Sequence, residues 1–158
     1  MPLHLLLMVL SVFNFGYQKN KYLYMLLQPK KTKYKKNKKG SIPKLSFNTT
    51  KLNFGTIGLK AIESGTITAR QIEAARQAIN RKIKRKGKVW IRIFPSISVT
   101  AKPTAVRMGK GKGSVSHWVA KVGAGTILFE ICGVNTFNSI SALKTGSAKL
   151  AIKTKIIT

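Results

Sequence analysis

Thirty cations set against three carboxylates constrain this 158-residue chain more than any other feature. The formal charge of +27 at pH 7 makes any compact fold repel itself in dilute salt, so the chain is built to sit against a polyanion. The same imbalance removes most enzyme chemistry. Glu63, Glu73 and Glu130 are the only carboxylates and stand far apart in sequence, so no acid/base pair is evident. One cysteine and two histidines leave little for metal or thiol chemistry, and no cofactor is expected. Cys132, being alone, excludes an intramolecular disulfide and is compatible with a reducing compartment. It is read as a buried small hydrophobe. Hydrophobic content of 44% argues against a wholly disordered tail protein, and the length suits one domain with tails.

The chain divides into an N-terminal extension (1–24), an extended basic arm (25–54) and an α+β domain (55–158). In the extension, Leu3–Phe13 is an apolar run too short for a bilayer span, which needs ~20 residues. No membrane insertion is expected. No basic residue precedes the run and no cleavage motif follows it, which disfavours a secretory signal. Two readings stay open, a segment docked on a neighbouring protein and one packed on its own domain.

In the arm, Lys30–Lys44 contains eight lysines in fifteen residues and no acid. Such a run lacks the apolar surface to fold alone. Lys30, Lys31, Lys33, Lys35, Lys36, Lys38 and Lys39 are candidates for contact with a nucleic-acid backbone. Tyr34, interleaved among them, suits stacking on a base.

The clearest local signal runs from Ile67 to Gly87, a helix. Thr68 is a candidate N-cap and Gln71 completes a capping box, with Ile67 and Ile72 as a hydrophobic staple. Ile72, Ala75, Ile79 and Ile83 form one apolar stripe. Lys84, Arg85 and Lys86 are expected in the last turn, with Gly87 closing the helix. The opposite face carries Arg70, Gln77, Asn80, Arg81, Lys84 and Arg85, with Arg76 at the stripe's edge. An exposed helix face would mix signs; Glu73 is the one acid here, so a phosphate-facing surface is the stronger reading.

Strands are expected over Lys88–Pro95, His117–Val122 and Thr126–Ile131, the last two joined by Gly123-Ala124-Gly125. Trp90 and Trp118 are read as packing residues and His117 as a structural histidine. A weaker helix covers Ser139–Lys149, interrupted by Gly146, and Leu150–Ile157 closes the domain as a strand. The fold class is α+β: a single domain of short antiparallel strands packed with two helices, hairpins dominating, plus an extended basic N-terminal arm.

Between strands lies the loop Arg107-Met108-Gly109-Lys110-Gly111-Lys112-Gly113. It matches neither GxxxxGK[ST] nor GxGxxG. Its glycines would let the backbone approach a phosphate chain that its lysines neutralise. An ordinary mobile hairpin tip fits the composition equally well.

Several stretches resemble the L-sixteen family of bacterial-type large-subunit ribosomal proteins. They are Met25–Tyr34, Phe54-Gly55-x-x-Gly58-Leu59-Lys60-Ala61, Ile67–Arg76, Gly87-Lys88-x-Trp90-Ile91-Arg92-x-Phe94-Pro95 and Lys102-Pro103-x-x-x-Arg107–Gly113. Trp118-Val119-Ala120, Phe129-Glu130-Ile131-x-Gly133-Val134 and Lys149-Leu150-x-Ile152-Lys153-Thr154 follow in the family's order. The resemblance implies a non-enzymatic organiser that binds large-subunit rRNA through the arm and helps shape the tRNA sites. The loop Arg107–Gly113 would reach toward tRNA acceptor ends near the peptidyl-transferase region, catalysis belonging to the RNA. Neighbouring ribosomal proteins are further expected partners, residues 1–24 being one place to meet them.

Departures from the family pattern are Ser96 where an acid is usual, Ala124 and Ala151 where proline is common, and residues 1–24 as an addition. With 24 lysines to six arginines, these suggest an organellar version, mitochondrial ahead of plastid or bacterial. A DNA-binding protein would have to act by counterion release alone, since no helix-turn-helix, zinc site or heptad repeat is evident. A membrane-active cationic protein would use Leu3–Phe13 as its anchor.

Overall fold

The computed structural model describes residues 27–158; Leu3–Phe13 and the expected docking of 1–24 lie outside the described residues. The elements run β1 (Ile57–Ala61), β2 (Gly65–Thr68), α1 (Ala69–Lys82), β3 (Lys88–Ile91), β4 (Ile97–Ala101), β5 (Ser114–Val122), β6 (Ile127–Cys132), α2 (Thr136–Ser147) and β7 (Thr154–Ile157). Every strand pairing is antiparallel. The strands form two sheets, ordered β3-β6-β1-β7 and β2-β5-β4. The α+β class is confirmed, with β1, β2 and β4 added to the strands read from sequence.

Hairpins do not dominate. Only β4 and β5 are sequence neighbours that pair. The strands flanking Gly123–Gly125 belong to different sheets, and Ala124 between them pairs with the arm. Its N–H donates to the Lys44 carbonyl at 3.1 Å, and its carbonyl accepts from Ser46 N–H at 2.9 Å. The strand expected over Lys88–Pro95 ends at Ile91, where Arg92 turns to meet Glu130. Cys132 is half-buried at the end of β6 and not fully enclosed.

Register fixes which way each sheet faces. In the four-stranded sheet, Ile57 pairs Ile131 and Leu59 pairs Phe129. These residues are buried with Ile72, Ala75, Ile79 and Ile83 of the helical stripe and with Ala142 and Leu143 of α2. The other face carries Gly58, Glu130 and Trp90 in one cross-strand row. In the three-stranded sheet, Ile67 pairs Ala120 toward the core. Its outer face carries Thr66, Lys121, Thr68, Val119, Ile97, Val99 and His117, since directly opposed residues share a face.

Helix α1 starts as expected. Thr68 Oγ1 accepts from Gln71 N–H at 3.2 Å and Gln71 Oε1 accepts from Thr68 N–H at 2.9 Å, a complete capping box. The end differs. The helix stops at Lys82, and Lys84 (φ 52°) and Arg85 (φ 61°) are left-handed. The basic last turn is therefore Arg81 and Lys82, and Lys84–Lys86 lie beyond it. Gly87 (φ 74°) ends that turn, so close to the Cys132 carbonyl and Val134 that a Cβ would collide. Helix α2 begins at Thr136, capped by Asn135, earlier than the expected Ser139. Gly146 does not interrupt it. It is the buried position where α2 crosses α1, and a Cβ there would stand 2.6 Å from Ile79 Cγ1.

The arm runs over the outer faces of both sheets. At its C-terminal end, Glu130 accepts hydrogen bonds from Phe54 and Gly55 N–H, each at 2.7 Å, and from Asn53 N–H at 3.3 Å, while Arg92 pairs with it from β3's end. The Glu130 side chain is fully buried. Burial alone would raise its pKa; the hydrogen bonds from Phe54 and Gly55 and the Arg92 guanidinium outweigh this and hold it below the ordinary carboxylate range. Gly58 leaves room for Leu52 to lie across the same face.

Two outcomes follow. Gly146→Ala destabilises the protein by about 1–3 kcal/mol in urea titration, through overpacking against Ile79, although alanine is the better helix former by about 1 kcal/mol. A gain in stability would show that the helices separate freely. Glu130→Ala costs about 3–5 kcal/mol by stranding Arg92 and three N–H groups. In the unsubstituted chain the part of this stabilisation that comes from the lowered pKa is complete above the ordinary glutamate value of about 4.3. It is lost as pH falls through the depressed folded value, and that acid limb should vanish from the stability profile of the variant.

Candidate nucleic-acid interface

The lysine run cannot be held by carboxylates, and among the described residues it is held by its backbone instead. Lys121 of β5 donates its ammonium to the carbonyls of Lys39 and Ser41. Lys112, in the loop before β5, donates to the Asn37 carbonyl, and Lys36 donates to the Lys112 carbonyl at 2.8 Å. Farther along, Ile127 N–H donates to the Thr49 carbonyl at 3.0 Å. Neutral carbonyls thus bind the arm to the domain, and apart from Lys36, whose ammonium is itself a donor, no arm lysine from Lys30 to Lys39 spends its side chain on the domain in these contacts. Lys30, Lys31, Lys33, Lys35, Lys36, Lys38 and Lys39 are all exposed. Tyr34 is 66% exposed, with the Lys33 ammonium 5.6 Å from its ring centre.

The helical cations do not form one patch. Arg70, at the start of α1, borders a hollow with Leu27, Gln28, His117 and Trp118. Arg76, Arg81, Lys84 and Arg85 line a separate open groove with Gln77 and Asn80. The left-handed exit at Lys84 and Arg85 brings these two cations beside the helix instead of continuing its spiral. Arg76 is held to Glu73 by two hydrogen bonds, 2.9 and 2.6 Å long, and Gln77 donates to the same carboxylate. The Arg76 hydrogen bond is the main reason that the Glu73 carboxyl lies below its ordinary pKa, against the opposing effect of burial. A neighbouring hollow adds Lys82, Asn138, Thr145 and Lys149 from α1, α2 and the segment after it.

The hairpin loop stands clear of the domain. Arg107, Met108, Gly109, Lys110, Gly111 and Lys112 are exposed, Met108 at 98%. Gly109 (φ 99°), Lys110 (φ 52°) and Gly111 (φ 80°) form a left-handed run, and no atom lies near a Cβ built on either glycine. Backbone conformation, not crowding, demands glycine there. Gly113 differs, since its Cβ would strike the Ala101 carbonyl across the hairpin neck. Lys102 braces the loop by donating to the Gly109 carbonyl at 2.6 Å. The Lys112 and Lys36 contacts bring loop and arm together, whereas the α1 groove is a separate surface.

Sequence reasoning missed Lys121 and the Glu130 anchor. Lys121 alternates with His117 and Val119, a signal that it shares their face. Nothing local marks Glu130, whose partners lie 38 to 77 residues away. Trp90 is half-buried, stacked on Phe54 at 6.1 Å and with the Lys88 ammonium 5.1 Å from its ring centre, which agrees with a packing role. His117 is half-buried and lies 3.3 Å from Ser116 Oγ.

Among the described residues no three His, Cys, Asp or Glu side chains gather into a metal site. No helix there is long and apolar enough to cross a membrane.

The sequence profile of the family described as "Ribosomal protein L16p/L10e" matches residues 29–157. The protein named "Large ribosomal subunit protein uL16" from Caulobacter vibrioides is 57% identical over 133 residues, covering 84% of this chain and 93% of its own. Its namesakes from Bartonella henselae and Mesorhizobium japonicum are 58% and 54% identical over 132 residues, covering 84% of this chain and 96% of theirs. The match takes in the arm, the α1 groove and the glycine-lysine loop together, and on it the chain belongs to the ribosomal protein L16p/L10e family.

Proposed function

We propose that this protein is a structural constituent of the large ribosomal subunit that binds large-subunit rRNA and helps organise the tRNA sites. It is not an enzyme. The observation that carries the reading is how the fold uses its acids. Glu73 pairs with Arg76, Glu130 with Arg92 and Glu63 with Lys153. All three carboxylates of the chain are thereby engaged inside the domain. Compensation for the remaining charge must come from another molecule, and a folded RNA supplies phosphates on the scale required.

In this reading the arm lysines Lys30–Lys39 and Tyr34 follow an RNA strand, while Arg70, Arg76, Arg81, Lys84 and Arg85 meet phosphates on other sides. The loop Arg107–Gly113 extends toward tRNA acceptor ends, which accounts for an exposed, glycine-bent tip braced at its neck. The segmentation into extension, arm and rRNA-binding domain follows the same division of labour. Neighbouring ribosomal proteins complete the surroundings. The lysine excess, together with Ser96, Ala124 and Ala151, favours a mitochondrial ribosome over a plastid or bacterial one.

UV cross-linking of the native protein followed by sequencing of the bound RNA tests this directly. Large-subunit rRNA clustered near the peptidyl-transferase region is expected, and its sequence names the compartment. Scattered DNA or RNA would sink the proposal. In filter binding, each Lys→Ala change among Lys30, Lys31, Lys33 and Lys35 lowers the slope of log affinity against log salt by about one unit; an unchanged slope in the fourfold variant would contradict the arm's role. Arg107→Ala leaves subunit assembly near normal and slows translation. Accumulation of free, unassembled protein in that variant would instead assign Arg107 a structural task.

A further inference from the structure

Between the arm and the outer face of the three-stranded sheet lies a cavity of about 440 Å³. Its floor is aliphatic, built by Ile97, Val99 and Val119, which register places on one face. Lys39, Lys112 and Lys121 stand around it. Asn37 borders it too, and is the one half-buried residue between Lys30 and Leu45. Thr66 and His117 add polar groups from the sheet. The volume lies within the ~300–1,000 Å³ usual for small-ligand sites, and an apolar floor with a few polar groups is their usual make-up.

The charge is one-sided. Lys112 and Lys121 are satisfied only by neutral carbonyls of the arm among the contacts described, and no acid lines the cavity. An occupant must therefore be anionic and also present a flat or apolar part to the valine and isoleucine floor. A bare phosphate fits the cations but not the floor. We infer that the cavity takes a single nucleotide extruded from the bound RNA, its base on Val99, Val119 and Ile97 and its phosphate among Lys39, Lys112 and Lys121. Asn37, with an amide donor and acceptor, is suited to a base edge. The inference rests on the RNA-binding reading above and deepens it. A free nucleoside monophosphate offers the same chemistry, and the test separates the two sources.

Full-length protein is dialysed against labelled AMP, GMP, CMP and UMP with excess inorganic phosphate present to saturate plain cation sites. The expected result is one-to-one binding of at least one monophosphate, at least tenfold weaker in Val99→Phe, which fills the floor and keeps every charge. Binding abolished by phosphate, or unchanged in the variant, would overturn the inference. Should Val99→Phe fail to fold, Val99→Leu fills less and is expected to weaken binding about threefold; no change there overturns the inference equally. On large-subunit rRNA, the unsubstituted protein protects the Watson–Crick edge of one unpaired nucleotide from chemical modification. Val99→Phe exposes it with overall affinity kept within threefold. Monophosphate binding without any such protection would make the occupant a free nucleotide and overturn the RNA assignment. If neither protein binds large-subunit rRNA, the ribosomal reading fails, and the dialysis still decides whether the cavity holds a nucleotide.

Discussion

Glu130 accepts from three consecutive N–H groups, Asn53 to Gly55, where the arm joins the domain, while pairing with Arg92, and the path of the arm over the domain depends on that attachment. A carboxylate in the central part of a sheet is costly to bury unless it is paired and fully hydrogen-bonded. Here both conditions hold, and the pair does work that an apolar residue could not. It fixes Phe54 against Trp90, with the Arg92 guanidinium 5.0 Å from the Phe54 ring centre. From this point the arm is led back across Ala124 and then over Lys121 and Lys112.

The attachment resolves a conflict built into the composition. A lysine-rich segment lying on a lysine-rich domain should be driven off by like charge. The arm is instead joined through its carbonyls, to which the domain's own lysines donate. Apart from Lys36, which donates to the Lys112 carbonyl, the arm's lysines stay exposed, where water and salt screen them. The arrangement converts the domain's excess charge into the means of holding the arm, and leaves the arm's other lysines exposed on the outer surface.

Much of this was legible in the sequence, unevenly. Helix α1 was readable because its cap, staple and stripe are all local, and Thr68, Gln71 and the four stripe residues behave as expected. Its end was not. Lys84 and Arg85 look helical in composition but take left-handed conformations set by the following turn. Gly146 reads as a breaker, whereas it permits a close helix crossing that only the fold creates. The strand Ile57–Ala61 hid because the core and the arm bury almost all of it, so no alternation survives. The charge runs of the candidate interface were plain, but their grouping depends on register and on contacts spanning most of the chain. Hence Arg70 and Arg81 appear as one face on a helical projection and line different hollows in the fold.

The arm's partners are also late in the order of synthesis. Its contacts with Lys112, Lys121 and Glu130 join residues 75 to 82 positions apart. At elongation rates of about 5–20 residues per second, the cationic segment waits roughly 4–16 s before the strands that receive it have been made. During that interval it is a naked polycation beside the ribosome that is making it. The arm's seat therefore becomes available long after the arm itself, and it is complete only when β5 and β6 have been made.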